Sequence, residues 1–173
     1  NPQSAYGLSK LKGELAIRSS KCNYLIFRTS WVFSEYGNNF LSNMLKLGSS
    51  NKKLSIISDQ LGCPTYAQDF AKVIDTVLGK IYNKKIYSDL FHFCGDQPCS
   101  WYDFANYIFE EAKILGFKTP NSLNPISTEM YPAKAARPLY SVLDCKKIKK
   151  SLKIDLSNWR NGIKEALLNN KSK

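Results

Sequence analysis

The chain predicts an α/β fold on two observations. Short runs rich in β-branched and aromatic residues alternate with segments whose apolar residues recur at helical spacing, and this alternation holds along the whole length. One run, residues 24 to 33 (Tyr-Leu-Ile-Phe-Arg-Thr-Ser-Trp-Val-Phe), does not alternate polar and apolar residues over its first half. That is the pattern of a central strand buried on both faces of a parallel sheet. No internal repeat and no low-complexity linker interrupts the series.

Taken in order, residues 6 to 19 predict a first helix, followed by the strand over 24 to 33. Gly37 and Asn38 mark a loop, a helix runs from about Asn39 to Leu47 with a stop at Gly48, and Leu54 to Ser58 is a short strand. Pro64 blocks helix continuation, so a helix starts at Thr65 and runs to Leu78, with Phe70, Ala71, Ile74, Val77 and Leu78 as its apolar stripe. Leu90 to Cys94 is another short strand. Ser100 is an N-cap with Asp103 in the first turn, and its helix ends near Leu115 at Gly116. The stretch containing Pro120, Pro125, Pro132 and Pro138 reads as irregular, and short helices follow at 145 to 152 and 158 to 169.

The 173 residues are 43% hydrophobic and 13% aromatic, enough for a real core, so disorder is not expected. Neither a membrane-length apolar run nor a signal-peptide pattern is present, which predicts a soluble, cytoplasmic protein. Five cysteines without a C-x-x-C pair, beside a lone histidine, His92, argue against a zinc site or a disulfide framework. The net charge of +11 raises nucleic-acid binding as a possibility. However, the lysines are dispersed, the run Lys146 to Lys150 fits one solvated helix face, and no recognition motif accompanies it. Small anions such as a nucleotide diphosphate suit the positive field better than nucleic acid.

Tyr6 and Lys10 stand one turn apart on the first helix. A free phenol has a pKa of about 10, so near neutrality it passes a proton reversibly only when a neighbouring cation stabilises the phenolate. Lys10 is placed to be that cation. With lysine and tyrosine this common, roughly one Tyr-x-x-x-Lys match arises by chance, and an exposed Tyr and Lys on an amphipathic helix is the alternative.

Several longer blocks, all in order, resemble the C-terminal part of the dTDP-4-dehydrorhamnose reductases, a family of extended short-chain dehydrogenases. They are Tyr6-Gly7-Leu8-Ser9-Lys10-Leu11, Arg28-Thr29-Ser30-Trp31-Val32-Phe33, Asn38-Asn39-Phe40, Asp59-Gln60-Leu61-Gly62-Cys63-Pro64-Thr65 and Ser100-Trp101-Tyr102-Asp103-Phe104. Tyr131-Pro132 and Ala136-Arg137-Pro138 continue the series towards Trp159. The resemblance implies the C-terminal portion of a Rossmann-like doubly wound domain over residues 1–58, with the catalytic helix. Residues 59–173 would then be mainly a small α/β domain that binds a nucleotide-sugar.

It further implies reduction of dTDP-4-dehydro-L-rhamnose to dTDP-L-rhamnose by NADPH or NADH, with Tyr6 as proton donor and Lys10 holding both the phenolate and the nicotinamide ribose. Trp31, Asn38, Asn39, Trp101 and Arg137 would hold the nucleotide-sugar. Trp31 would sit at the carboxyl edge of the sheet and Trp101 against the thymine. The asparagines would lie at a helix start suited to diphosphate, and Arg137 would offer a fork for phosphate oxygens. Each also has a plainer reading: a core or interface tryptophan, capping asparagines, a tryptophan packed on the core, a surface arginine. Asp59 and Gln60 are expected to fix a turn.

The family's glycine-rich phosphate turn and the Ser or Thr of its catalytic triad have no counterpart here. The chain is therefore expected to be a fragment, inactive alone, with a homodimer as one possible assembly. The competing function is a non-catalytic regulatory subunit, like the reductase-like relative that regulates methionine adenosyltransferase. That relative lacks the Ser-Trp-Val segment, so Ser30-Trp31-Val32 beside Tyr6 and Lys10 favours the enzyme.

Overall fold

The computed structural model describes residues 2, 4–82, 88–131 and 137–171; Pro132 and Ala136 of the family-like blocks lie outside them. In chain order the elements are α1 (Ala5–Ser19), β1 (Leu25–Arg28), β2 (Val32–Phe33), α2 (Phe40–Ser50), β3 (Lys53–Ile57), β4 (Leu61–Gly62), β5 (Thr65–Tyr66) and α3 (Ala67–Tyr82). They continue with β6 (Asp89–His92), β7 (Cys99–Ser100), α4 (Trp101–Ile114), β8 (Ser122–Ile126), a 3-10 turn at Thr128–Met130, α5 (Lys146–Leu152) and α6 (Trp159–Lys171). Three parallel pairings, β1 with β6, β2 with β5 and β3 with β8, join segments separated by helices, and β4 pairs antiparallel with β7. This is an α/β architecture, as the alternation predicted.

Caps explain the helix starts. Asn39 and Ser100 each close a capping box, with Ser42 and Asp103 as the reciprocal partners. Gly116, at φ 82, follows α4 in the left-handed conformation that ends helices.

Five expectations need correction. The strand expected over 24 to 33 is two strands, because Trp31 between them has φ 49, a conformation that no strand contains. Nor is β1 buried on both faces, since only Ile26 in it is fully buried. Gly48 does not stop α2; a Cβ there would lie 2.6 Å from Phe109 Cε1, so this glycine is a close-approach point against α4. After Pro64 the chain first makes β5, pairing Thr65 with Val32, before α3 begins. The proline-rich stretch is partly strand. Pro125 lies in β8, which has a single ladder partner, an edge position where the missing N–H is tolerated.

Apolar side chains collect in two clusters. One joins Phe33, Leu41, Met44, Tyr66, Phe104, Ile108, Trp159 and Ile163, with Leu54, Ile56, Leu115 and Leu123 against it. The other joins Val73, Val77, Phe91, Phe93, Ile148 and Leu152, with Phe27 and Phe70 against it. Phe104 and Ile108 are thus central to the first cluster, and Phe70 belongs to the second. In α3 only part of the expected stripe is covered: Val77 is buried, whereas Ile74 and Leu78 are exposed. Cys63, Cys94, Cys99 and Cys145 are buried free thiols, and burial pushes the Cys99 thiol up to about 12.

Candidate active site

Helix α1 presents its tyrosine and lysine together, as the spacing predicted. The Lys10 Nζ lies over the Tyr6 ring, 5.2 Å from its centroid. Tyr6 is 72% exposed. The Ser4 hydroxyl caps the helix by accepting from the Gly7 N–H at 3.1 Å. Further along, both Glu14 carboxylate oxygens accept from the Arg28 guanidinium at 2.7 Å, a bidentate tie from α1 to β1. The guanidinium holds the Glu14 carboxyl below its usual range. No residue of α1 is buried.

The substrate-side residues gather elsewhere. A cleft of about 520 Å³ lies between α2, β3 and the start of α4, walled by Phe40, Met44, Leu54, Ile56, Trp101 and Tyr131. Its polar lining includes Asn43, Lys46 and Arg137, and among the described residues no carboxylate. Trp101 and Arg137 are therefore brought to one cavity. Trp31 stands behind Trp101, its rings stacked at 3.5 Å and 9°. The stack is possible because Gly62 lies beneath it: a Cβ there would be 2.3 Å from Trp31 Cε2.

Asn39 acts on the cleft through α2. Its Oδ1 accepts from the Ser42 N–H at 3.3 Å, while its Nδ2 donates to the carbonyls of Ser34 and Tyr36. That side chain is spent on the cap. Asn38 is exposed, and the cleft lining includes neither asparagine, nor Tyr6, Lys10 or Trp31. Asp59, expected to fix a local turn, instead accepts from the N–H and hydroxyl of the distant Thr128.

Asn43, Lys46 and Tyr131 line the cleft without having been singled out as site residues. A signal existed for the first two: with Asn39 as N-cap, positions 43 and 46 lie one turn apart on one helix face. Tyr131 stood inside a family-like block but in a stretch read as irregular. Among the described residues no cluster could hold a metal ion, and no helix is long and apolar enough to cross a membrane.

The α/β architecture is that of extended short-chain dehydrogenases, as its likeness to solved members of that class shows. Two solved dTDP-4-dehydrorhamnose reductases superpose on it. One, from Clostridium acetobutylicum, has a TM-score of 0.86 at 36% identity, over 99% of this chain and 57% of that one. The other, from Bacillus anthracis in complex with NADP, has a TM-score of 0.86 at 32% identity, over 98% and 57%. The model of the RmlD substrate binding domain matches residues 1–172, and the chain belongs to that family. The dTDP-4-dehydrorhamnose reductase of Sinorhizobium fredii is 41% identical over 162 residues, 91% of this chain and 54% of the relative. The chain spans about half the length of the curated relatives it matches.

Proposed function

We propose that this chain is the substrate-binding and proton-donating part of a nicotinamide-dependent reductase that converts dTDP-4-dehydro-L-rhamnose to dTDP-L-rhamnose. The observation that carries this reading is the cleft. Among the described residues, the cations Lys46 and Arg137 line it and no carboxylate does, beside the Trp101 face and an apolar floor of Met44, Leu54 and Ile56. Two negative charges, a flat base and a sugar match that lining.

When bound, a nicotinamide dinucleotide, NADPH or NADH, supplies the hydride to C4 of the sugar. The chain's own part is proton delivery and positioning. Tyr6 gives its phenolic proton to the oxygen that becomes the 4-hydroxyl, and Lys10 stabilises the phenolate left behind. Both groups fit a dinucleotide ribose, because Tyr6 and Lys10 are exposed and adjacent. Trp101, Lys46 and Arg137 hold the dTDP moiety. Trp31 backs Trp101, and Asn38 and Asn39 shape the entry to α2.

In this reading residues 1–58 supply the Rossmann-like share, with the catalytic helix, and residues 59–173 mainly bind the nucleotide-sugar. The protein acts in the cytoplasm, and a homodimer would cover Leu8, Leu15 and Ile17, which α1 leaves exposed. The test is calorimetric titration of the chain with dTDP, with dTDP-L-rhamnose as a second ligand. Binding of both is expected; no heat from either would remove the nucleotide-sugar reading.

A further inference from the structure

Four consecutive residues, Asp59 to Gly62, hold several segments that lead into the cleft. The Asp59 carboxylate accepts from the Thr128 N–H at 2.9 Å and from the Thr128 hydroxyl at 2.6 Å. Gln60, 3% exposed, donates its Nε2 to the same hydroxyl oxygen at 3.1 Å. Next, the Leu61 N–H donates to the Leu139 carbonyl at 2.7 Å, and the Leu61 carbonyl accepts from the Ser141 N–H at 2.8 Å. One tripeptide thus grips the chain at Thr128 and again at 139–141. Between those two grips the chain carries Tyr131 and Arg137 to the cleft.

The grip has further reach. Thr128 opens the turn that sets Tyr131, whose N–H donates to the Thr128 carbonyl at 3.1 Å. Leu61 is the ladder partner of Ser100, the residue before Trp101. Gly62 makes room for Trp31. Asp59 itself is exposed, where a hydrogen bond adds little to global stability. Its reach is local: Tyr131 is itself exposed, and ordering it beforehand would spare the ligand the entropy of immobilising it.

We propose that Asp59 and Gln60 are positioning residues for the nucleotide-sugar cleft, acting through Thr128 on Tyr131 without touching the ligand, while the Leu61 backbone holds the chain just beyond Arg137. This rests on the reading that the cleft binds dTDP.

The experiment compares Asp59→Ala, Asp59→Asn, Thr128→Val and the parent chain by amide hydrogen exchange and by calorimetry with dTDP. Asp59→Ala and Thr128→Val should speed exchange at Thr128, Met130 and Tyr131 and weaken dTDP about tenfold, the scale of one well-placed charged contact. Asp59→Asn keeps an acceptor oxygen and should recover most of the loss. In a Tyr131→Ala/Arg137→Ala background, Asp59→Ala should cost less than about twofold, because residues that act through one another do not add. In the whole protein KM for the nucleotide-sugar should rise while kcat stays within about twofold. Thr128→Val probes the same grip from the other side if Asp59→Ala fails to fold. Unchanged exchange and affinity, or a full tenfold penalty persisting in the double-alanine background, would overturn the positioning role. A parent chain that does not bind dTDP would instead overturn the substrate reading, and the positioning role with it.

Discussion

The Phe104 side of the molecule and helix α1 differ in what holds them. Phe104 is fully buried, edge-on to Phe33 and Trp159, and α4 packs on α2, α6 and β3 around it. Helix α1 buries nothing, and its described side-chain tie to the rest is the Glu14–Arg28 pair. The cleft that suits a nucleotide-sugar therefore stands on a closed core, while the helix with the acid-base motif lies on the surface. A motif such as Tyr6 with Lys10 needs only the helix that carries it, whereas the cleft needs segments far apart in the chain.

Removing the proposed proton donor should have the largest effect. Tyr6→Phe in the whole protein is expected to lower turnover by about 10²–10⁴-fold while dTDP affinity stays within a few fold. Near-normal steady-state turnover would take α1 out of the mechanism. The structural half of the contrast is tested by thermal unfolding. Phe104→Ala should cost about 3–5 kcal/mol, and in the monomeric chain Leu15→Ala on α1 should stay within about 0.5 kcal/mol. Similar losses for both would mean that α1 is covered in solution.

Smaller effects divide the cleft itself. Arg137→Ala should weaken dTDP by about 10–100-fold, as a lost charge-assisted phosphate contact does. Trp31→Ala, which takes the backing from Trp101, should cost about threefold to tenfold. Titration calorimetry measures both, and parent-like binding by the two variants would displace the site from this cavity.

The smallest effect is on pH. The Glu14 carboxyl is held below its ordinary value by its hydrogen bonds from Arg28. A lowered folded value means that the pair's contribution is complete above the free glutamate pKa of about 4.3 and is lost as pH falls through the folded value. Protection of the α1 amides, taken relative to their intrinsic exchange rates, should therefore fall as pH drops below about 4, and Glu14→Gln should remove that fall. No change in the parent chain would mean that the ion pair does not hold α1.

Much of the fold was legible because its signals are local. Ser100 with Asp103, Asn39 ahead of an apolar run, and Gly116 after one are each read within a few residues, and each marks the observed helix boundary. The Tyr6–Lys10 spacing is local in the same way. Gly48 misled, because the same residue type serves as a helix stop and as a close-approach point. Only the Phe109 ring facing it distinguishes the two.

The sequence by itself determined the α/β class, the helices with their caps, and the pairing of tyrosine with lysine, since helical periodicity and capping need no partner beyond a turn or two. The tertiary structure alone decided the break at Trp31, the strand over Ser122–Ile126 and the company that Trp101 and Arg137 keep in the cleft. Those features depend on residues far apart in the chain: Gly62 beneath the Trp31 ring, Lys53–Ile57 beside the strand that holds Pro125, and Asp59 gripping Thr128. Neither periodicity nor spacing records such contacts, because their free energy exists only once the distant segments meet.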